Sequence, residues 1–455
     1  MSLTVNILGA GLAGSEAAIQ LADRGVMVRL FEMRPKLSTP VHTSSNCAEL
    51  VCSNSLKSTK AESAAGMLKY ELKSFGSHLL HQAFEHQVAA GGALAVHREN
   101  FSSAVTRKIE EHPCITLIRE EANDLPLDAD ATIVCSGPLT SDALAQSLQK
   151  ITGSEHLAFY DAAAPIVMAD SLDHERLFRQ SRYETDSAGD YLNAGFNKEE
   201  YISFIEELKS AKRVIEKDFE TSDLFQACQP IEEIARKNVD APRFGAMKPV
   251  GLTDPKTGRR PWAALQLRAE DMHGLSYNLV GFQTNLTFPE QERVFRMIPG
   301  LEKAEFSRFG VMHRNTFIDA PRLLTSSLQL RQGYLAQDAP PVFIAGQLAG
   351  TEGYCEAIMS GLWAALNCYA LLHERNIQPC PSYSAFGALM AYATNPETRD
   401  YQPMHVNFGI MEPLEPAIKK KKERYSAYAK RGSEAVQTFC AELEDMGILK
   451  QGLHS

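Results

Sequence analysis

The segment ELVCSNSLKS, residues 49–58, sets Cys52 among serines and an asparagine, with Lys57 and Lys60 close behind it. A second thiol in a polar context, Cys228, lies in FQACQPIEEIARK, two residues before Pro230 and upstream of Arg236 and Lys237. Structural cysteines usually sit among apolar neighbours, whereas a thiolate forms more readily beside Lys, Arg or a helix amino terminus. Nucleophilic addition and proton transfer are the chemistries open to such thiols, and composition alone is equally compatible with inert ones. Cys114 and Cys135 abut strand-like runs and are expected to be packing residues. Four further stretches, RFGAMKPVGL (243–252), GFQTNL (281–286), RFGVMHRNTF (308–317) and QPMHVNFG (402–409), combine glycine with Arg, Lys, His or Asn, the types that line a polar pocket. His313 fits such a pocket and fits a satisfied structural histidine equally well.

The elements that would position these groups begin at the amino terminus. LTVNIL, residues 3–8, is a β-rich run that ends in GAGLAG; a helical pattern follows over Ser15–Arg24, and VMVRLFE, residues 26–32, reads as the next strand. Gly9, Ala10, Gly11, Leu12, Ala13 and Gly14 thus form a G-x-G-x-x-G turn inside a β-α-β unit, with Glu32 placed 18 residues after Gly14. Gly9 permits the tight turn, Gly11 lets the backbone approach a pyrophosphate, and Gly14 lets helix and strand pack closely. The helix amino terminus offers free N–H groups and partial positive charge to the phosphates, and Glu32 would accept hydrogen bonds from ribose hydroxyls.

Late in the chain, VFIAGQLAGTEGYCEAIMSG (342–361) reads as a strand, a glycine-rich turn containing Gly346 and Gln347, and a helix of small residues. ATIVCSGP (131–138) reads as a middle strand ending beside a cofactor. The three segments favour FAD over NAD as the tightly held dinucleotide and imply a split site. The expected class is α/β: a split Rossmann-type FAD-binding domain of the glutathione-reductase type with an inserted α+β domain. The expected partition is 1–155 for the first part of the flavin domain, 156–315 for the insertion on the substrate side, and 316–455 for the second part with a basic carboxyl-terminal helix. Within the insertion, residues 199–219 form a charged amphipathic helix or helix pair, and 262–284 read as strands around a turn. KKKKER (419–424) is either a solvated face or a polyanion contact.

Composition narrows the function classes. A chain of 455 residues with 44% hydrophobic and 22% charged residues is globular and too long for one core. Its apolar runs are short of the roughly 18 residues needed to span a bilayer, and the amino terminus lacks a basic n-region, so a cytoplasmic protein without a membrane partner is expected. Nine cysteines without any C-x-x-C pair are unlike a disulfide framework or a metal site. The net charge of −10 argues against nucleic-acid binding over the whole surface and leaves room for a local basic patch.

Taken in order, GAGLAGSEAA, EMRP, ELVCSNSL, GGALAV, GPLTS, FYDAAAPIV, AMKPVGL, GFQTNL, MIPGL, GVMHRNTFI, AGQLAGTEGY and QPMHVNFG resemble the folate- and flavin-dependent tRNA (uracil-54-C5)-methyltransferases, the TrmFO family. The resemblance extends from residue 4 to about residue 430, and ELVCSNSL and MHRNTF are far more specific than the glycine motif. It implies formation of 5-methyluridine at position 54 in the T-arm of tRNA, with 5,10-methylenetetrahydrofolate as carbon donor, tetrahydrofolate as product, and FAD reduced by NADH or NADPH. It also implies that Cys228 is the thiol that adds to uracil C6 and Cys52 the partner that moves the C5 proton, with His313 and Glu352 as folate contacts and no stable protein partner. Three positions depart from the family pattern: NAG at 193–195, GQLAGTEGY at 346–354, and Asn285 where a basic or imidazole side chain is usual. A ribosomal-RNA methyltransferase of the same type, the longer flavoprotein that modifies wobble uridines, and a non-enzymatic flavin-binding RNA chaperone are the competing expectations.

Overall fold

The computed structural model describes residues 2–39, 41–153, 157–182, 189–215, 229–271, 273–398 and 401–450, the side chains of 157–161, 313 and 314 excepted. Cys228 lies outside the described residues, as does the side chain of His313.

The apolar run TVNIL becomes the strand Thr4–Leu8, with Val5, Ile7 and Leu8 almost wholly buried. It is the middle of a five-stranded parallel sheet ordered Val342–Ile344, Ala131–Val134, Thr4–Leu8, Met27–Phe31 and Ile115–Ile118. Continuous apolar strands of this kind suit a parallel sheet. The late strand therefore sits two places from the first although more than 330 positions separate them in the chain.

Two helices rise from this sheet. The first, Leu12–Ala22, is buried at every position. The second, Tyr354–Leu372, is the 19-residue core helix against which it packs. Gly361 makes that contact possible, since a Cβ there would lie 2.1 Å from the Ala13 carbonyl oxygen. Gly14 packs the first helix on the strand ends, since a Cβ there would lie 1.9 Å from the Gly9 carbonyl oxygen and 3.2 Å from the Cys135 side chain. The second helix bears on the expectation that no segment spans a membrane. It is long and apolar enough to cross a membrane by length and composition, but 83% of its most apolar window is buried inside the fold. A helix apolar all round is satisfied by burial within a large core.

In the chain between the parallel strands Ala131–Val134 and Val342–Ile344 comes a separate six-stranded antiparallel sheet, ordered Leu177–Arg179, Tyr191–Phe196, Ala263–Ala269, Ser276–Leu279, Ile166–Met168 and Phe306–Arg308. It has its own core, which includes Leu192, Phe204, Leu265, Phe282 and Phe295. The antiparallel strands Leu157–Ala162 and Met312–Phe317 form its neck. The amphipathic helix of the insertion spans Lys198–Ser210, opened by a capping box between Asn197 and Glu200. The carboxyl-terminal helix Lys421–Asp445 buries Tyr428, Val436, Phe439 and Leu443 and leaves Lys421 and Lys422 exposed. Its Phe439 ring packs 6.2 Å from Phe75 and 6.1 Å from Trp363, which ties it to the flavin-side core.

Candidate functional site

Gly9, Gly11, Leu12, Ala13, Glu32, Gly346 and Gln347 line one cleft of about 1050 Å³, open mouth included. Ala10 and Gly14 stand behind it: the Ala10 N–H donates to Glu32 Oε2 at 3.1 Å, and Gly14 provides the close packing described above. Around Gly11 a Cβ would meet no atom within 4 Å, which is the room a diphosphate needs at a helix amino terminus. Glu32 ends the second strand, where Arg34 Nε donates to Glu32 Oε1 at 2.8 Å and Arg34 Nη1 reaches Glu49 at 3.0 Å. Burial opposes the Glu32 charge, but Arg34 and two backbone N–H groups hold its pKa below the ordinary carboxylate value. On the opposite wall Gly346 adopts φ +75° and its N–H donates to Ser360 Oγ at 2.8 Å. A strand-turn-helix at each side, an acidic residue at the second strand end and open space at Gly11 together fit a flavin dinucleotide.

The loop bearing Cys52 closes the far end of this cleft, which Val51 and Tyr354 also line. Cys52 is half-buried. Tyr354, the first residue of its helix, accepts through Oη from the N–H groups of Cys52 at 2.9 Å and Ser53 at 3.0 Å. Burial pushes the Tyr354 phenol well above its ordinary pKa, so it remains an O–H. Three arginines grip the same loop. Arg98 Nη1 donates to the Leu50 carbonyl at 2.7 Å, and its Nε pairs with Glu270 at 2.6 Å. Arg268 donates to Asn54 Oδ1 at 2.8 Å and to Ser53 Oγ at 2.7 Å. Arg308 donates to the carbonyls of Val51 and Val41. Two of the three come from the inserted sheet, so both parts of the chain hold the thiol loop. Arg98 and Arg308 also interact electrostatically with Cys52.

Gln347 Nε2 donates to Glu352 Oε1 at 2.6 Å, which brings Glu352 to the rim of the flavin cleft. Beside it, Lys57 pairs with Glu356 at 3.5 Å, and Glu356 accepts from the Val406 N–H at 3.2 Å. Glu356 and Glu352 raise the pKa of Lys57, whose side chain is partly exposed. Burial and Lys57 together lower the pKa of His405. The motif QPMHVNFG thereby meets TEGY at the mouth of the site.

The chain on either side of residues 216–228 is fastened to GFQTNL. Val214 N–H donates to the Asn285 carbonyl at 2.7 Å, and Ile231 N–H to that of Gln283 at 2.8 Å. Asn285 spends its amide on Ile215, accepting from its N–H at 3.1 Å and donating to its carbonyl at 2.9 Å. Asn285, marked from sequence as a departure from the family pattern, holds main chain with its side chain. Sequence reasoning missed Arg98 and Arg268 altogether. It placed Arg308 and Tyr354 inside quoted motifs without assigning them a part.

A model of the glucose inhibited division protein A family matches residues 4–376. A protein of Heliobacterium modesticaldum is 50% identical over 440 residues, covering 97% of this chain and 98% of its own length, and bears the name methylenetetrahydrofolate–tRNA-(uracil-5-)-methyltransferase TrmFO. The chain belongs to the TrmFO family. A Geobacter sulfurreducens TrmFO is 51% identical over 424 residues, covering 93% of this chain and 96% of its own length. Among solved structures, Aquifex aeolicus GidA superposes over 100% of this chain and 75% of its own with a TM-score of 0.70 at 14% identity, which establishes the shared fold. TrmFO relatives thus match this chain end to end, whereas GidA carries additional length.

Proposed function

We propose that this protein methylates C5 of uridine 54 in the T-arm of tRNA, taking the carbon from 5,10-methylenetetrahydrofolate. The observation that carries the reading is the hydrogen-bonded union of the flavin cleft with the Cys52 loop through Tyr354. Bound FAD, reduced by NADH or NADPH, would supply the hydride that takes a methylene to the methyl level. The protein's own residues deal with the uracil. C5 becomes nucleophilic only when a thiolate adds to C6, and we assign that addition to Cys228. C5 then bonds to the folate-derived methylene carbon, whose bond to nitrogen breaks as the C5 proton leaves. Cys52, held at the cleft by Tyr354 and the three arginines, is the group assigned to take that proton; the hydride then adds to the methylene carbon. Elimination of the Cys228 sulfur from C6 regenerates the free thiol and the aromatic ring. Glu352 and His313 are assigned to folate. The target base must leave its stack to be reached, as in other base-modifying enzymes. Lys248, Arg259, Arg260 and Lys419 to Lys422 are candidate phosphate contacts, and binding through them weakens as salt rises.

The test is trapping with tRNA containing 5-fluorouridine, from which C5 fluorine cannot depart as a proton does. Wild type and Cys52→Ala should retain a covalent complex, and Cys228→Ala should lose it. The reverse pattern would exchange the two roles.

A further inference from the structure

Three phenyl rings of the inserted domain lie face to face at its edge. Phe306 and Phe309 have centroids 5.3 Å apart and planes inclined by 13°; Phe309 and Phe288 are 4.7 Å apart at 14°. Within the neighbouring core, Phe282–Phe295 at 62° and Phe196–Tyr201 at 88° are edge-on, and the near-parallel pair Phe204–Phe282, at 23°, is wholly buried with centroids 6.1 Å apart. The three-ring stack is different, and its outermost member is 48% exposed. One face of Phe288 is covered by Phe309, and about half of the residue is open to solvent.

The position of the stack relates it to the site. Phe306 and Phe309 flank Arg308, which holds the Val51 carbonyl beside Cys52. At the other end, Phe288 follows Thr287 at the start of the helix Phe288–Phe295. It lies three residues beyond Asn285, which fastens Ile215. The Thr287 N–H donates to the Lys212 carbonyl at 3.1 Å, so the main chain of an exposed lysine adjoins the residue that precedes Phe288. A flat apolar face with an exposed lysine on the adjoining chain matches the chemistry of an unstacked nucleotide, whose base stacks and whose phosphate is negative.

We infer that the Phe288–Phe309–Phe306 stack is a platform for a base of the RNA substrate adjacent to the uridine being methylated. The inference rests on the RNA-methylating function proposed above and adds where the flanking base goes. The pterin of folate is the other flat heterocycle in the reaction, but it has to meet the flavin within the cleft, whereas Phe288 opens to solvent.

The test measures binding of a fluorescent T-arm RNA by anisotropy, together with KM for RNA and for methylenetetrahydrofolate, in Phe288→Ala, Phe288→Leu and Phe288→Trp. Loss of one stacked base should weaken RNA binding roughly 5- to 100-fold in the alanine and leucine variants. Tryptophan should restore it, with folate KM and FAD content unchanged throughout. RNA binding by the leucine variant equal to wild type would mean an apolar packing role and overturn the inference. A rise in folate KM with unchanged RNA binding would assign the platform to the pterin and overturn it equally. Failure of wild type to bind the T-arm RNA would instead remove the RNA function itself, a result separable from the other two.

Discussion

Tyr354 Oη accepts hydrogen bonds from the main-chain N–H groups of Cys52 and Ser53, at 2.9 and 3.0 Å, across a sequence separation of 302 and 301 residues. The tyrosine opens the helix that lines the flavin cleft, so one hydroxyl ties the cleft wall to the thiol loop. Tyr354→Phe would strip two donors of their acceptor, at a cost of about 1–3 kcal/mol each if they stay dry. The expected outcome is retained FAD with kcat lowered about tenfold or more. Steady-state kinetics on the flavin-loaded variant checks it, and an unchanged kcat would show that the loop is held without Tyr354.

The arginine grip makes a separate prediction. Arg268 contacts Asn54 and Ser53 with two different nitrogens of one planar fork, and lysine cannot reproduce that pair of contacts. Arg268→Lys should lower kcat by about tenfold while FAD content stays as in wild type, because Arg268 touches the loop and none of the residues that line the FAD cleft. Loss of FAD from this variant would mean that the inserted sheet supports the cofactor rather than the thiol loop.

Two glycines of one motif should fail in different ways. Around Gly11 a Cβ has open space within 4 Å, whereas on Gly14 it would lie 1.9 Å from the Gly9 carbonyl oxygen. Gly11→Ala is expected to fold with its Tm nearly unchanged as apoprotein and to lose FAD affinity. Gly14→Ala is expected to yield little folded protein. Equal FAD content in wild type and Gly11→Ala would show that the diphosphate does not pass there.

Glu232 gives a pH dependence. It is fully buried, accepts from Asn285 N–H at 2.6 Å and Thr284 Oγ1 at 3.0 Å, and desolvation raises its pKa from 4.5 to about 7. A carboxyl whose pKa is raised on folding stabilises the fold below the unfolded value, and that contribution is lost as pH climbs through the folded one. Wild type should therefore lose Tm relative to Glu232→Gln between pH 4.5 and about 7. A Tm difference that stays flat across this window would show that Glu232 ionises normally.

The β-α-β unit was legible because its signals are local: a strand, three glycines and a terminal acid lie within 32 residues, and each acts through main-chain geometry. The arginine grip was not. Arg98, Arg268 and Arg308 reach the Cys52 loop over sequence separations of 48, 214 and 257 residues. Nothing in their immediate neighbours distinguishes them from solvated arginines. The phenyl stack joins positions 288, 306 and 309 through tertiary packing, beyond the reach of any period in the sequence. Asn285 was noticed as unusual, but the direction of its amide toward Ile215 depends on a chain segment 70 residues away.

The central claim concerns the origin of the carbon. Purified protein loaded with FAD should be incubated with NADPH or NADH, an unmodified tRNA transcript and methylenetetrahydrofolate deuterated at the methylene, and the RNA digested for nucleoside mass spectrometry. The account predicts 5-methyluridine two mass units heavy, confined to position 54 and absent when folate is omitted. Unlabelled 5-methyluridine, or none at position 54, would contradict it.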